Sequence, residues 1–254
     1  MTDFSKLNFG VDGDSITAGQ QWSWHVYNEL GMKSHSNVAV GSAVWYKRTF
    51  DVAGTAVTTQ DYSDPDFAGI SDGWEPTDDP AEMQRRANNC AVVHIQRFLA
   101  EVKSGSFPTP DIFAFAMGTN DLEEFIGDPE KALSGKQLPD NEDIDLFTEA
   151  GAARWCIQTI QENFPQCRIF LLTPIQTATP EHNRKVEKTI ACLRRICQGL
   201  SVQVIDTYSG CGICEKFEVI GGRGKYLKDG LHPGADGQQL EGAFAAKEIR
   251  NNYF

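Results

Sequence analysis

Four residues of this chain have the types and the surroundings needed for acyl-transfer chemistry. Ser15 follows Gly13-Asp14, directly behind the apolar run Phe9–Val11. A serine hydroxyl is a weak nucleophile at neutral pH, so it needs a base and donors for the developing oxyanion. The late segment Lys228-Asp229-Gly230-Leu231-His232-Pro233 contains such a base. His232 can take the Ser15 proton at Nε2, while Asp229, three residues earlier, can fold back onto Nδ1–H and fix the tautomer. Asn120, in Gly118-Thr119-Asn120-Asp121, carries an amide suited to donating to a carbonyl oxygen as it becomes negative. Each element has a bland alternative: a turn serine, a surface Asp-x-x-His or an Asn that bonds its own turn.

Positioning these groups together requires a scaffold, and the apolar pattern supplies one. Runs at Leu7–Val11, Val38–Val40, Ile112–Ala116, Ile169–Leu172 and Val202–Ile205 have strand length and little polar alternation, which predicts burial on both faces. Helical spacing links Ala91, Ile95, Phe98 and Val102; then Ala153, Ile157, Ile160 and Phe164; then Val186, Ile190, Leu193 and Cys197. Pro165 stops the second helix, Pro180 opens the third, and a last helix is expected from about Gly234 to Arg250. Alternating strands and helices predict one α/β domain around a mainly parallel sheet. Ligands of such sheets sit beyond the carboxyl ends of the strands, where Ser15, Asn120 and the 173–180 segment all fall. A helix beginning at Ser15 would leave its N–H free for an anion, and the Val40-Gly41-Ser42 turn can supply a second backbone donor.

Two stretches interrupt the pattern. Residues 51–82 hold nine acidic residues and no basic ones, with several glycines and prolines, and read as a long acidic loop or cap. Residues 122–144 form a second polar insertion with a short helix. Loops of this length commonly border a site. Trp22, Trp24, Trp45 and Tyr46 are candidates for lining an acyl pocket or stacking on a sugar, with core packing as the alternative. Trp74 is similarly ambiguous, and Thr173-Pro174 is expected at the rim. His182 reads as an exposed helix residue, and His25, His35 and His94 have no partner motif.

The 254 residues, 41% hydrophobic, suffice for one sizeable core. A net charge of -12 disfavours a general phosphate-backbone binder and argues mildly against anionic polymers and membrane lipids. The opening MTDFSKLNFG has no signal-type apolar stretch and no 18-residue apolar segment follows. A soluble, cytoplasmic protein without stable membrane insertion is expected, or a secreted or periplasmic one if a leader has been removed. The seven scattered cysteines read as reduced thiols, with zinc or redox pairing of Cys211 and Cys214 as the alternatives.

Gly13-Asp14-Ser15, Gly118-Thr119-Asn120-Asp121 and Asp229-Gly230-Leu231-His232 resemble three of the four main blocks of the SGNH, or GDSL-type, esterases and acylhydrolases. The resemblance runs in order from residue 7 to about 245. It implies a single hydrolase domain over 1–254, built as a flavodoxin-like three-layer α/β/α sandwich with a five-stranded parallel sheet. It implies Ser15 as nucleophile, His232 as base, Asp229 as its orienter and Asn120 as side-chain oxyanion donor. The family commonly has Asn-x-Gly-x-x-Gly after its second strand, where this chain reads Asn37-Val38-Ala39-Val40-Gly41-Ser42. Ser42 stands at the donor glycine's place, and Gly41 serves instead if the turn shifts by one residue. The implied activity is cofactor-free hydrolysis of a small-molecule or carbohydrate ester, with short-chain or acetyl esters first. A lysophospholipase or thioesterase, marked by a long apolar groove, is the alternative, and a non-catalytic carbohydrate-binding module is another.

Overall fold

The most apolar segments become the middle of a sheet. In the computed structural model, which describes residues 2–19, 21–73, 75, 77–134 and 144–253, the strands β1 (Asn8–Gly13), β2 (Ser34–Asn37), β5 (Ile112–Ala116), β6 (Arg168–Leu172) and β7 (Gln203–Ile205) pair in the order β2-β1-β5-β6-β7. Every pairing is parallel. A separate antiparallel hairpin joins β3 (Thr49–Val52) to β4 (Thr55–Thr58).

Strand alternation divides the core in two. Phe113 and Phe115 of β5 belong to one buried cluster, and Ile112 and Ala114 belong to the other. The first cluster is closed by α3 (Ala91–Ser104), α5 (Glu149–Asn163) and α6 (Pro180–Gly199), whose apolar faces carry Ile95, Ile157 and Leu193. The second is closed by α1 (Trp22–Leu30) and α8 (Ala235–Asn252), with Trp22, Val26, Ala245 and Ile249 inward. The result is a five-stranded parallel sheet flanked by helices on both faces, as the alternation predicts. Shorter helices α2 (Pro80–Ala87), α4 (Pro129–Ser134) and α7 (Thr207–Gly210) fill the connections.

Three expectations are corrected. The second strand lies at Ser34–Asn37, not Val38–Val40, because this edge strand is held by its ladder to β1 rather than by apolar faces. Val38 and Val40 still donate to Val11 and Gly13 as the chain leaves the sheet. No helix begins at Ser15: Thr17 and Ala18 donate to the Asp14 carbonyl in a turn, and α1 starts at Trp22. The 51–82 stretch is not one long loop, since it contains β4, the end of β3 and the start of α2, where Asp79 caps the Ala81 N–H at 3.0 Å. Trp74 and residues 135–143 of the second insertion lie outside the described residues.

Trp22 is fully buried, and its indole N–H donates to Thr17 Oγ1 at 3.0 Å, so it props the turn that carries Ser15. Trp22→Ala is expected to cost about 3–5 kcal/mol in urea unfolding. A loss below about 1 kcal/mol would show that this side chain does not hold the sheet against α1 and α8.

Candidate active site

The carboxyl ends of β2, β1 and β5 lie side by side, and each leads into a loop with a candidate group. β1 ends in Gly13 because a Cβ there would run into the Ala116 carbonyl and Thr17 Oγ1. Asp14 follows with a buried carboxylate: Oδ1 accepts the Ile16 N–H at 3.0 Å, and Oδ2 the Thr119 N–H at 3.4 Å. It therefore ties the Ser15 turn to the Asn120 turn across the sheet edge.

Ser15 Oγ lies 2.8 Å from His232 Nε2, and His232 Nδ1 lies 2.9 Å from Asp229 Oδ2. An ionised Asp229 can only accept, so Nδ1 carries a proton and Nε2 is the acceptor facing the hydroxyl. Asp229 Oδ1 in turn accepts the backbone N–H groups of Leu231 and His232, at 3.0 and 2.7 Å. Burial alone would raise the Asp229 pKa, but the bonds from His232 and Leu231 outweigh it and hold the carboxylate below its ordinary range. Gly230 permits this tight return at φ 82°, and its carbonyl is anchored by the Ala178 N–H at 2.8 Å. The arrangement can pass a proton from hydroxyl to imidazole while the carboxylate stabilises the resulting cation.

Opposite lies a set of donors. Asn120 Nδ2 spends one hydrogen on the Ala43 carbonyl at 3.1 Å, which leaves its second for a ligand. Among the described residues, the backbone N–H groups of Ser15, Gly41 and Ser42 reach no protein acceptor. Ser42 adopts φ 62°, a left-handed conformation uncommon outside glycine, and its hydroxyl donates to Asp72 Oδ1 at 2.7 Å. Asp72 also crowds Gly41, where any Cβ would meet its carboxylate. The acidic insertion thus reaches the Gly41-Ser42 turn.

A cavity of about 500 Å³ opens from Ser42, Asn120 and Leu231. Its apolar walls are Val44, Tyr46, Phe50, Leu122, Phe125 and Phe147, and Lys47, Arg48, Asp121, His182 and Lys185 also line it. Four residues assigned to a pocket on sequence are not among its lining. Trp22 and Trp45 are fully buried core residues, the latter against Phe115 at 5.4 Å. Thr173 is buried and bonded to Asp206 and Thr207, and Pro174 packs against Gly118. Large aromatic area drew the tryptophans inward. Of the aromatics expected at a pocket Tyr46 does line it, joined by Phe50 of β3 and by Phe125 and Phe147, which carry no positional motif. His182 is not the exposed residue expected: it is half-buried, its Nε2 has no partner among the described residues, and burial and then Lys185 lower its pKa.

All seven cysteines are free, and burial pushes the Cys211 thiol up to about 12. Among the described residues, no group of three or more His, Cys, Asp or Glu side chains is placed to hold a metal.

Residues 12–240 match the model of the GDSL-like lipase/acylhydrolase family. The chain belongs to that family. Its fold is similar to that of a lipase/acylhydrolase from Enterococcus faecalis, at 16% identity and TM-score 0.52, covering 96% of both chains. It is similar too to a protein from Lactobacillus plantarum, at 14% identity and TM-score 0.60, covering 98% of this chain and 99% of that one. No curated protein sequence matches it significantly. Family membership supports esterase or acylhydrolase activity, and no helix among the described residues is long and apolar enough to cross a membrane.

Behind the site of this family member lies a group of buried carboxyls. Burial pushes Asp14 up to about 6 and Asp121 up to about 7. Glu241 of α8 is raised to about 8, by burial first and by the charge of Asp14 second. Asp121 holds the Trp45 N–H at 2.9 Å, which ties the β5 loop to the segment behind Ser42. Because these pKa values are raised, these carboxyls bind more protons in the folded state than in the unfolded chain between about pH 4 and 8. Their contribution to stability therefore falls as pH rises through that window. Glu241→Gln removes one share of this slope. Its unfolding free energy relative to the parent is expected to shift in its favour by on the order of a few kcal/mol between pH 5 and about 8.5. A pH-independent difference in denaturant unfolding would refute this account.

Proposed function

We propose that the protein is a serine esterase that hydrolyses carboxylic esters through an acyl-enzyme, with an apolar acyl group seated in the cavity beside Asn120. The observation that carries this reading is the unbroken chain Ser15–His232–Asp229 facing unengaged donors. His232 takes the hydroxyl proton as Ser15 attacks the ester carbonyl. Asn120 and backbone N–H groups of Ser15 and the Gly41-Ser42 turn stabilise the tetrahedral oxyanion. His232 then protonates the departing alcohol, and the same base activates the water that releases the acid. The chemistry is complete with protein groups alone.

The walls of Val44, Tyr46, Phe50, Leu122, Phe125 and Phe147 favour an acyl chain longer than acetyl. This supports a lipid-type or thioester-type acylhydrolase over a carbohydrate deacetylase, for which an open polar surface would be better suited. The intact chain of three side chains equally disfavours a purely binding module.

Ser15→Ala is expected to fold normally and to lose at least about 10⁴-fold in kcat on p-nitrophenyl butyrate. Undiminished turnover would sink the assignment. Across p-nitrophenyl esters from acetyl to decanoyl, kcat/KM should rise with chain length to an intermediate optimum. Phe125→Asp should then lower kcat/KM for the octanoyl ester roughly tenfold relative to the acetyl ester. An acetyl ester as best substrate, insensitive to Phe125, would return the choice to deacetylation.

A further inference from the structure

A second histidine–aspartate pair lies wholly inside the protein, and its hydrogen bonds lead to the Gly41-Ser42 turn. Asp12 of β1, His94 of α3 and Asn89 are all fully buried. Asp12 Oδ1 faces His94 Nδ1 at 2.8 Å and also accepts the Gly13 N–H at 2.8 Å. His94 Nε2 faces Asn89 Oδ1 at 3.1 Å, and Asn89 Nδ2 donates to the Gly41 carbonyl at 2.7 Å.

The polarity of this series is forced from its far end. A carbonyl oxygen only accepts, so the nitrogen of the Asn89 amide must face Gly41. Its oxygen must then face His94, and that oxygen requires a hydrogen on Nε2. The other ring nitrogen shares a proton with Asp12. Reversing the Asn89 amide would set two oxygens against each other at Gly41. In a buried site that error is expensive, so one orientation survives. The Asn89 main chain is held as well: its carbonyl accepts from Arg48 Nη2 at 3.0 Å.

The Gly41 carbonyl and the Ser42 N–H belong to one planar trans peptide, in which the two groups point in opposite directions. Drawing the carbonyl inward onto Asn89 therefore turns the Ser42 N–H outward. Ser42 lines the cavity and its N–H has no acceptor among the described residues, whereas Gly41 is not part of the lining. The left-handed Ser42 backbone costs on the order of 1 kcal/mol and needs something to maintain it. Asn89 supplies that restraint from behind the turn, and Asp72 supplies one on the hydroxyl.

We propose that Asn89, oriented by the buried Asp12–His94 pair, is the positioning residue that aims the Ser42 N–H at the developing oxyanion. This rests on the acyl-transfer reading of Ser15. Asp12 lies in β1, three residues before Ser15 in the turn that follows, so one series of bonds references the donor to the nucleophile.

The test compares Asn89→Asp with the parent on a p-nitrophenyl ester, reading kcat, KM, thermal melting and the affinity of an alkyl boronic acid that forms a tetrahedral adduct. The substitution keeps the size and the acceptor facing His94 but sets a carboxylate oxygen against the Gly41 carbonyl. Expected are a kcat reduced about 10²-fold, a KM within about threefold, and boronate affinity reduced in parallel with kcat. A purely structural role would lower the melting temperature while leaving kcat and boronate affinity of the folded protein intact, and that result overturns the proposal. Should Asn89→Asp not fold, Asn89→Ala is read in the same way, with the same outcomes. Parent protein that hydrolyses no ester, and reacts at Ser15 with no fluorophosphonate, would instead defeat the underlying acyl-transfer reading.

Discussion

Parallel pairing of β1 between β2 and β5 is the constraint on which the site depends. Parallel strands end at the same edge, and the register sets Gly13 against Ala116 and Val11 against Asn37. The loops carrying Ser15, Ser42 and Asn120 therefore emerge as neighbours although they are far apart in sequence. A slip of one residue in β1 would turn Phe9 and Val11 away from α1 and α8 and carry Ser15 out of reach of His232. The core and the chemistry thus enforce the same register. The fourth component, Asp229–His232, comes from a loop outside the sheet and is located by local bonds: the Gly230 carbonyl on Ala178 and the two N–H groups on Asp229.

Strand ends fix where loops begin, but not the direction of each peptide group within them. That second task falls to polar side chains buried or half-buried behind the loops. Asp14 spans the turns of β1 and β5, Asp121 holds Trp45, and Asn37 donates to the Thr17 and Gly19 carbonyls. Asn89 does the same for Gly41. Apolar side chains in these places would fill the volume equally well, yet a dispersion contact has no preferred partner atom and cannot aim a carbonyl. Hydrogen bonds in a dry interior can, because a mismatched donor and acceptor is penalised more heavily than in water.

The distance between partners decided what was legible in the sequence. Asp229 and His232 lie three residues apart, so their mutual bond is a local property and their pairing with a strand-end serine could be inferred. Phe113 and Phe115 alternate with Ile112 and Ala114, and that pattern made the central strand and its two faces readable. β2 was misplaced because Ser-His-Ser-Asn lacks an apolar face and is a strand only through its ladder to β1. The Asp12–His94–Asn89 series was invisible for a related reason: Asp12 and His94 are 82 residues apart, and nothing near either one announces the other. Among the pocket aromatics Tyr46 does line the cavity, but the tryptophans failed on a different ground. Trp22 and Trp45 are the larger side chains, but burial in the core served their area better than a partly open cavity did.

The buried carboxyls set the function of this edge against its stability. Asp12 Oδ2, Asp121 Oδ2, Glu149 Oε1 and Glu241 Oε2 are all buried without a partner among the described residues. After burial, the charge of Asp121 raises the Glu149 pKa and the charge of Asp14 raises that of Asp121, so the group resists carrying all its charges at once. An apolar replacement of such groups is often neutral or stabilising in proteins generally. Here the engaged oxygens of Asp12 and Asp121 hold backbone N–H groups at or beside the active loops, so removing the carboxyl would also release the loop. The unpartnered oxygen is then a consequence of the geometry: a carboxyl reaching one specific N–H through a packed interior has little freedom to satisfy its second atom. Such a site tolerates protonation of its struts better than their replacement, because a protonated carboxyl still has an oxygen with which to accept.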